Sequence, residues 1–467
     1  MNFKAILPFV AVLMLGMACQ AQPTITVGAT TLTENVVATG LQIPWEILWG
    51  PDDHIWLTEK RGQILRLNPS NGNYTVILNH QSAVSSGSER GMLGMVLHPD
   101  FENTPKVYVV YNYSSGGIKE RLSSFDWNSG TEQLSNEVIL LNNIPGANIH
   151  DGSRLIITGD GKILMSTGDV GSTANAQNMN SNNGKFLRIN LDGSIPADNP
   201  SASSYVYSYG HRNPQGLCQG PNGIIYSSEH GQNNSDEFNI IEENRNYGWP
   251  NVEGACNTTS EISFCNTNNV REPLAEFSPC AAVNGVEYYD HPAIPEWQNS
   301  VLMAVLGGFA LSDSRLSVIH MSTDGLSITS QDEYFSNYGR LRDVCVNPYT
   351  GSVYFATNGP SYPGSGPNQI VEYRNLDYSA VGIEDNKSEN QFINLSPNPM
   401  NDRMNISFSD NFIGKTYEVI SYDGKQVLTN TISSPSTTIT KDKLAAGNYY
   451  LRATNDEGTI TKAFVVN

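Results

Sequence analysis

Three groups with complementary chemistry sit at the ends of successive strand-like runs in this chain. His150 stands on a polar loop (NIHDGSRLIIT) just ahead of an apolar run, and Asp169 ends the next run in MSTGDVG. Arg212 and Asn213 follow one repeat later, in GHRNPQG. A histidine held by a carboxylate makes a stronger base, and a nearby guanidinium stabilises negative charge developing on an oxygen. Together they suit the oxidation of an alcohol. The stretch from Tyr205 to Pro250 is the densest in such groups, joining the basic-polar cluster to an acidic loop (SEHGQNNSDEFN) and an aromatic turn (NYGWP). Cations and carboxylates with so little apolar filling between them fit a site that holds both an anionic cofactor and a hard metal ion.

Such residues need a scaffold that brings distant loops together, and the sequence repeats in a way that supplies one. Turn residues followed by an apolar or alternating strand recur in GPDDHIWLTE, ENTPKVYVVYN, GDGKILMSTGD, GPNGIIYSSEHG, PEWQNSVLMAVLGG and YTGSVYFATNG. Counted from Ile55, Val107, Ile163, Ile224, Val301 and Val353, the steps are 52, 56, 61, 77 and 52 residues. Most units continue into a second alternating strand (QILRLN, KFLRIN, FNII, RLSVIHM, QIVEYR), with no convincing amphipathic helix between. The spacing predicts an all-β fold, a six-bladed β-propeller over residues 28–378 with loops of every blade meeting at a central channel. The longest step marks an inserted loop that carries Cys256, Cys265 and Cys280.

The flanks read differently. Lys4, an apolar run from Ala5 to Met17, and small residues at Ala18 and Ala21 have the order of a secretory signal over residues 1–21, with a lipid-modified Cys19 as the competing reading. No other segment approaches the ~20 apolar residues needed to span a bilayer. Residues 379–391 turn polar and read as a linker, and 392–467 carry short strands of their own, expected as a small β-sandwich-like domain. The formal charge of −19, from 27 basic and 46 acidic residues, offers no field for gripping nucleic acid. Export permits disulfides, so one pair among the three clustered cysteines is expected to staple the inserted loop, with Cys218 and Cys345 as buried small hydrophobes. No Cys-x-x-Cys is present, so zinc is not indicated.

From about Gln42 to Arg374 the chain resembles the soluble glucose and aldose sugar dehydrogenases that depend on pyrroloquinoline quinone (PQQ), also described as glucose/sorbosone dehydrogenases. The runs that carry the likeness are IPWEILWGPDDHIWLTEKRGQILRLNP, ERGMLGMVLHPDF, IHDGSRLIITGDGKILMSTGD, GKFLRINLDGSIPADNP, GHRNPQGL, SEHGQNNSDEFNII, NYGWPNV and YGRLRDV. The resemblance implies that His150 takes the anomeric hydroxyl proton, that Asp169 orients it, and that Arg212 stabilises the quinone oxygen while hydride passes to the cofactor. It further implies that Glu89 and Asn213 help hold cofactor or substrate, and that Arg340 and Arg342 neutralise cofactor carboxylates. Cofactor-bound calcium is implied on the carbonyls of Gly231 and Gln232, and a second calcium at Asp236, Glu237 and Tyr247. An aldose substrate and an external electron acceptor follow from the same likeness.

Two departures stand out. Better-studied members place a lysine against the cofactor late in the propeller, whereas this chain has none between Lys185 and Lys387 and offers only Arg315 in AVLGGFALSDSRL. Ile149 also stands where a carboxylate can precede the base. A sugar- or protein-binding propeller with a decayed cofactor site, and a calcium-dependent lactone hydrolase, are the rival readings. The tail, through its SPNP opening, Tyr422-Asp423-Gly424 turn, AGNYY strand start and terminal KAFVV, resembles the C-terminal sorting domain of type IX secretion, with that machinery as the implied partner.

Overall fold

Short apolar strands separated by glycine, asparagine and aspartate turns can pair only with their immediate neighbours, and the chain builds its sheets that way. The computed structural model describes residues 22–308, 313–362, 364–378, 393–396, 400, 402–421, 425–445, 447–455 and 458–466. It forms two units, divided after Leu376. The signal (with Cys19), the linker 379–391 and the 422–424 turn lie outside the described residues, as do Pro397, Asn398 and Pro399.

In the first unit the strands form six antiparallel sheets, five of four strands and one of five. Each sheet begins with an inner strand: Pro44–Trp49, Met92–Leu97, Gly152–Ile157, Pro214–Gln219, Val283–Tyr289 and Leu341–Val346. Every inner strand lies against the next, and the sixth returns to the first. The repeated runs of the sequence are the second strands: Ile55–Glu59, Lys106–Ser114, Ile163–Thr167, Ile225–Glu229, Ser300–Val305 and Val353–Thr357. The sixth sheet takes its two outer strands from the start of the unit: Thr30–Leu41, paired with Asn368–Arg374, and Thr24–Val27 beyond it. These six sheets fit a six-bladed propeller.

Burial follows the ring. Separate apolar clusters fill the spaces between neighbouring sheets, such as Tyr108 and Val110 with Leu155 and Leu187, Met303 with Tyr226, and Leu57 with Tyr354 and Ile370. Inner strands approach closely where a side chain is missing: a β-carbon on Gly94 would come within 2.0 Å of the Ser153 carbonyl oxygen. Only glycine permits that approach.

One element departs from the sequence reading. The inserted loop contains a helix, Thr259–Asn268, without any buried residue. It lacks an apolar stripe, so periodicity gives no sign of it. A capping box between Thr258 and Glu261 holds its start, and the Cys256–Cys265 disulfide clips it to the preceding loop. Cys218 and Cys345 are buried free thiols, and Cys280 is a half-buried one. The second unit has a three-stranded and a four-stranded sheet around one core that includes Ile406, Phe408, Val419, Leu451 and Phe464.

Candidate active site

At one end of the shaft a cavity of about 430 Å³ opens among loops of all six sheets. Its walls come from two places in each repeat: residues just ahead of an inner strand, such as His150, Arg212, Asn213 and Arg340, and residues just after a second strand, such as Lys60, His230 and Leu306. The topology therefore gathers side chains nearly three hundred positions apart in sequence.

His150 has a left-handed backbone (φ 58°), uncommon for a non-glycine residue. Its amide donates to Glu89 Oε2 at 2.9 Å and its carbonyl accepts from the Val170 amide at 3.1 Å, which fixes the turn. The ring Nδ1 lies 2.8 Å from Asp169 Oδ1. Asp169 is almost fully buried, and burial alone would raise its pKa. Hydrogen bonds from His150, the Gly171 amide and the Trp249 indole outweigh that and hold the carboxyl below its usual range. An ionised carboxylate only accepts, so Nδ1 carries a proton, and it is the neutral form of the ring that presents a lone pair at Nε2.

Arg212 and Asn213 approach from the next sheet. Glu229 accepts from both of their amides, and the Arg212 guanidinium donates to the His230 carbonyl at 3.0 Å with Trp249 5.4 Å away across the ring face. The Asn213 side-chain oxygen accepts from the Gly152 amide at 3.2 Å, tying the loop of the arginine to the loop of the histidine.

On the opposite wall Lys60, Arg340 and Arg342 are each less than a tenth exposed. Lys60 donates to the Ser88 carbonyl, Arg340 to the Leu306 and Ser361 carbonyls, and Arg342 to the uncharged Gln215 amide oxygen at 3.3 Å. None of the three, nor Arg212, makes an ion pair among the described residues. Burial first, then the Arg342 cation, lowers the Lys60 pKa to about 8, and burial with Arg340 and Arg154 lowers that of Arg342 to about 9. The Arg342 and Arg212 Nε atoms are buried without a partner. Buried cations left uncompensated are costly. Glu89, which also lines the cavity, acts favourably on Lys60, Arg340 and Arg342 from longer range.

Trp45 also lines the cavity, with the Arg154 guanidinium 4.2 Å from its ring. Arg154 is in turn paired with Glu46 and Asp343 inside the shaft, at 2.7 and 3.0 Å. At the mouth Tyr362 donates to Glu89 Oε1 at 2.9 Å, so both Glu89 oxygens are engaged, one by the His150 loop and one by the rim.

Of the residues singled out in the sequence, His150, Arg212, Glu89, Asn213, Arg340, Arg342, Gly231, Gln232 and Asp236 line this cavity. Asp169 stands behind His150. Glu237 and Tyr247 face a separate small cavity behind Arg212, because neighbouring residues of the strand Asp236–Ile241 point to opposite faces. Burial, then Glu229, raises the Glu237 carboxyl to about 8, and the Tyr247 hydroxyl is engaged by the Ile240 carbonyl and the Glu242 amide. Asp236 thus borders the main cavity, while Glu237 and Tyr247 border the small one. Arg315 is paired with Asp313 and Glu333 and takes no part in the cavity. Lys60, Trp45, Gln215, His230, Cys280 and Tyr362 were not picked out by sequence reasoning. For Lys60 and His230 the signal was present, since each directly follows a second strand, as the segment bearing Asp169 does.

Six sheets thus carry one cavity that gathers His150, backed by Asp169, with Arg212, Lys60, Arg340 and Arg342. Residues 41–362 match the Glucose / Sorbosone dehydrogenase family and 394–467 match the Secretion system C-terminal sorting domain. The chain belongs to the glucose/sorbosone dehydrogenase family, and its tail marks it for export by type IX secretion to the cell surface or beyond. Quinoprotein glucose dehydrogenase B of Acinetobacter calcoaceticus is 38% identical over 252 residues, 47% of this chain; the chain spans about half (53%) of that relative's length. Aldose sugar dehydrogenase YliI of Escherichia coli is 28% identical over 347 residues, 71% of this chain and 91% of that one. The PQQ-bound aldose sugar dehydrogenase of Streptomyces coelicolor superposes with a TM-score of 0.62 at 30% identity, covering 73% of this chain and 98% of that one. No helix among the described residues is long and apolar enough to cross a membrane.

Proposed function

We propose that the protein is a PQQ- and calcium-dependent dehydrogenase that oxidises an aldose at its anomeric carbon to a lactone and passes the electrons to an external acceptor. The observation that carries this reading is a set of cations without ion-pair partners among the described residues, the buried Lys60, Arg340 and Arg342 and the half-buried Arg212, around one cavity that His150, backed by Asp169, also lines. A flat tricarboxylate would fit that demand, with Lys60, Arg340 and Arg342 to meet its carboxylates. When bound, PQQ supplies the hydride acceptor.

The chain's own residues supply the rest. Nε2 of His150 takes the proton of the anomeric hydroxyl, and Asp169 keeps the imidazole in the tautomer that can do so and stabilises the imidazolium that forms. Arg212 offers its guanidinium to the oxygen on which charge accumulates. Asn213 and Glu89 hold the two loops in register, and Glu89 with Tyr362 narrows the mouth.

For calcium, no three His, Cys, Asp or Glu side chains converge among the described residues. An ion beside the cofactor would, as the family resemblance implies, draw on the main-chain oxygens of Gly231 and Gln232, hard donors of the kind calcium takes. A second ion is placed by the same reading at Asp236, Glu237 and Tyr247. The propeller is taken to run over residues 28–378 and the sorting domain over 392–467.

The test is reconstitution of the full chain with PQQ and calcium, a panel of aldoses, and an artificial dye as acceptor. Dye reduction that depends on PQQ and disappears in His150→Ala is the expected result. Bound PQQ with no turnover on any aldose would instead return a binding module.

A further inference from the structure

Trp249 touches both halves of the candidate site without lining its cavity. The indole Nε1 donates to Asp169 Oδ2 at 2.9 Å, the carboxylate oxygen that His150 does not use. The Arg212 guanidinium carbon lies 5.4 Å from the centre of the same indole ring, within cation–π range. The residue is itself held at both main-chain ends: its amide donates to the Gly210 carbonyl at 3.0 Å, and its carbonyl accepts from the Gln177 side chain at 2.7 Å. Gln177 is locked in turn by Asn246, at 2.9 and 3.0 Å. With 8% exposure the ring has no freedom to swing.

We propose that Trp249 is a positioning residue that orients the Asp169 carboxylate toward His150, tempers its charge, and carries the Arg212 guanidinium on its face. The argument is geometric. A carboxylate held only through Oδ1 can rotate about its Cβ–Cγ bond, and a donor on Oδ2 removes that freedom. A neutral N–H also stabilises the bare carboxylate and so weakens its pull on an imidazolium. One buried ring thus fixes the spacing between base and arginine, which belong to different sheets.

This rests on the reading of His150 as the base, and the test separates the two. In the full chain without cofactor, Trp249 is replaced by benzothienylalanine, which keeps the ring and loses the N–H, and the His150 imidazole titration is followed by NMR. The expected result is a midpoint higher by about half a unit or more, since Asp169 loses its competing donor. After PQQ loading, the pH profile of kcat should move the same way with cofactor affinity unchanged. Trp249→Phe serves as a second variant, its folding checked by thermal melting. A His150 midpoint that is unchanged or lower in the benzothienylalanine protein, whatever happens to the melting temperature, overturns the proposal. Should the unsubstituted protein fail to oxidise aldoses, the proposed function falls while the apo titration still decides on Trp249.

Discussion

Gly168 lies so close beneath His150 that a β-carbon on it would come within 1.9 Å of the His150 carbonyl oxygen. The same carbonyl takes the Val170 amide, so the left-handed turn of His150 and the loop of Asp169 are built against one another. Gly168→Ala should therefore push the two apart. We expect a loss of roughly 2 kcal/mol or more of stability, measured by denaturant unfolding, and little dye reduction in whatever folds.

Asp169→Asn keeps the shape of the pair and changes its hydrogen-bond logic, because an amide can donate to Nδ1 and so favour the wrong tautomer. The expected fall in kcat is about 10²–10⁴-fold with PQQ affinity little changed. Steady-state kinetics beside a cofactor titration checks both halves of that statement.

Lys60 gives a pH dependence of definite sign. Its pKa is lowered to about 8, so the apo protein loses this charge on passing pH 8, whereas a bound polyanion would hold the proton on. PQQ affinity should then be highest below pH 8 and weaken above it. Lys60→Met should bind PQQ about tenfold more weakly at pH 7 and show a flatter profile, read by absorbance titration. For stability the sign is the reverse of the usual gain: the folded state gives up this proton before the unfolded state does. The burden of burying it is full below pH 8 and lifts between there and the unfolded value, so apo Lys60→Met should melt higher than the parent at pH 7.

Glu89 ties His150 to Tyr362, and its two oxygens serve two donors. Glu89→Ala should release both the base loop and the rim tyrosine. A drop in kcat/KM of about tenfold or more is expected, with Tyr362→Phe reproducing only the part that arises at the mouth. Comparing the two variants across several aldoses measures how far the rim selects substrate.

The repeat of turn and strand made the six-sheet plan legible, because each second strand is a short apolar run that no helix pattern imitates. His150, Asp169 and Arg212 were legible for the same reason, since they sit at strand ends where polar residues have no packing duty. Lys60 was hidden by its neighbours: in TEKRGQ it reads as one charge of a solvated turn, and only the ring topology turns it inward beside Arg342. Trp249 reads as a packed aromatic, and nothing in NYGWP announces an indole N–H aimed at a carboxylate eighty residues earlier. The helix Thr259–Asn268 escaped because its support is a cap and a disulfide, not a buried face.

The sixth sheet is completed by Thr30–Leu41, so the ring cannot lock until residues near 370 have been made and have found a partner laid down more than three hundred positions earlier. Pairing across so long a separation is slow. Lys60 follows a strand of the first sheet, and Arg340 and Arg342 stand at the inner strand of the sixth, so the cation wall spans the boundary between first and last sheets that this pairing helps to close. An anion seated there would act as a rivet across the seam, making the loaded protein harder to unzip than the empty one at the single place where its circle was left to be fastened last.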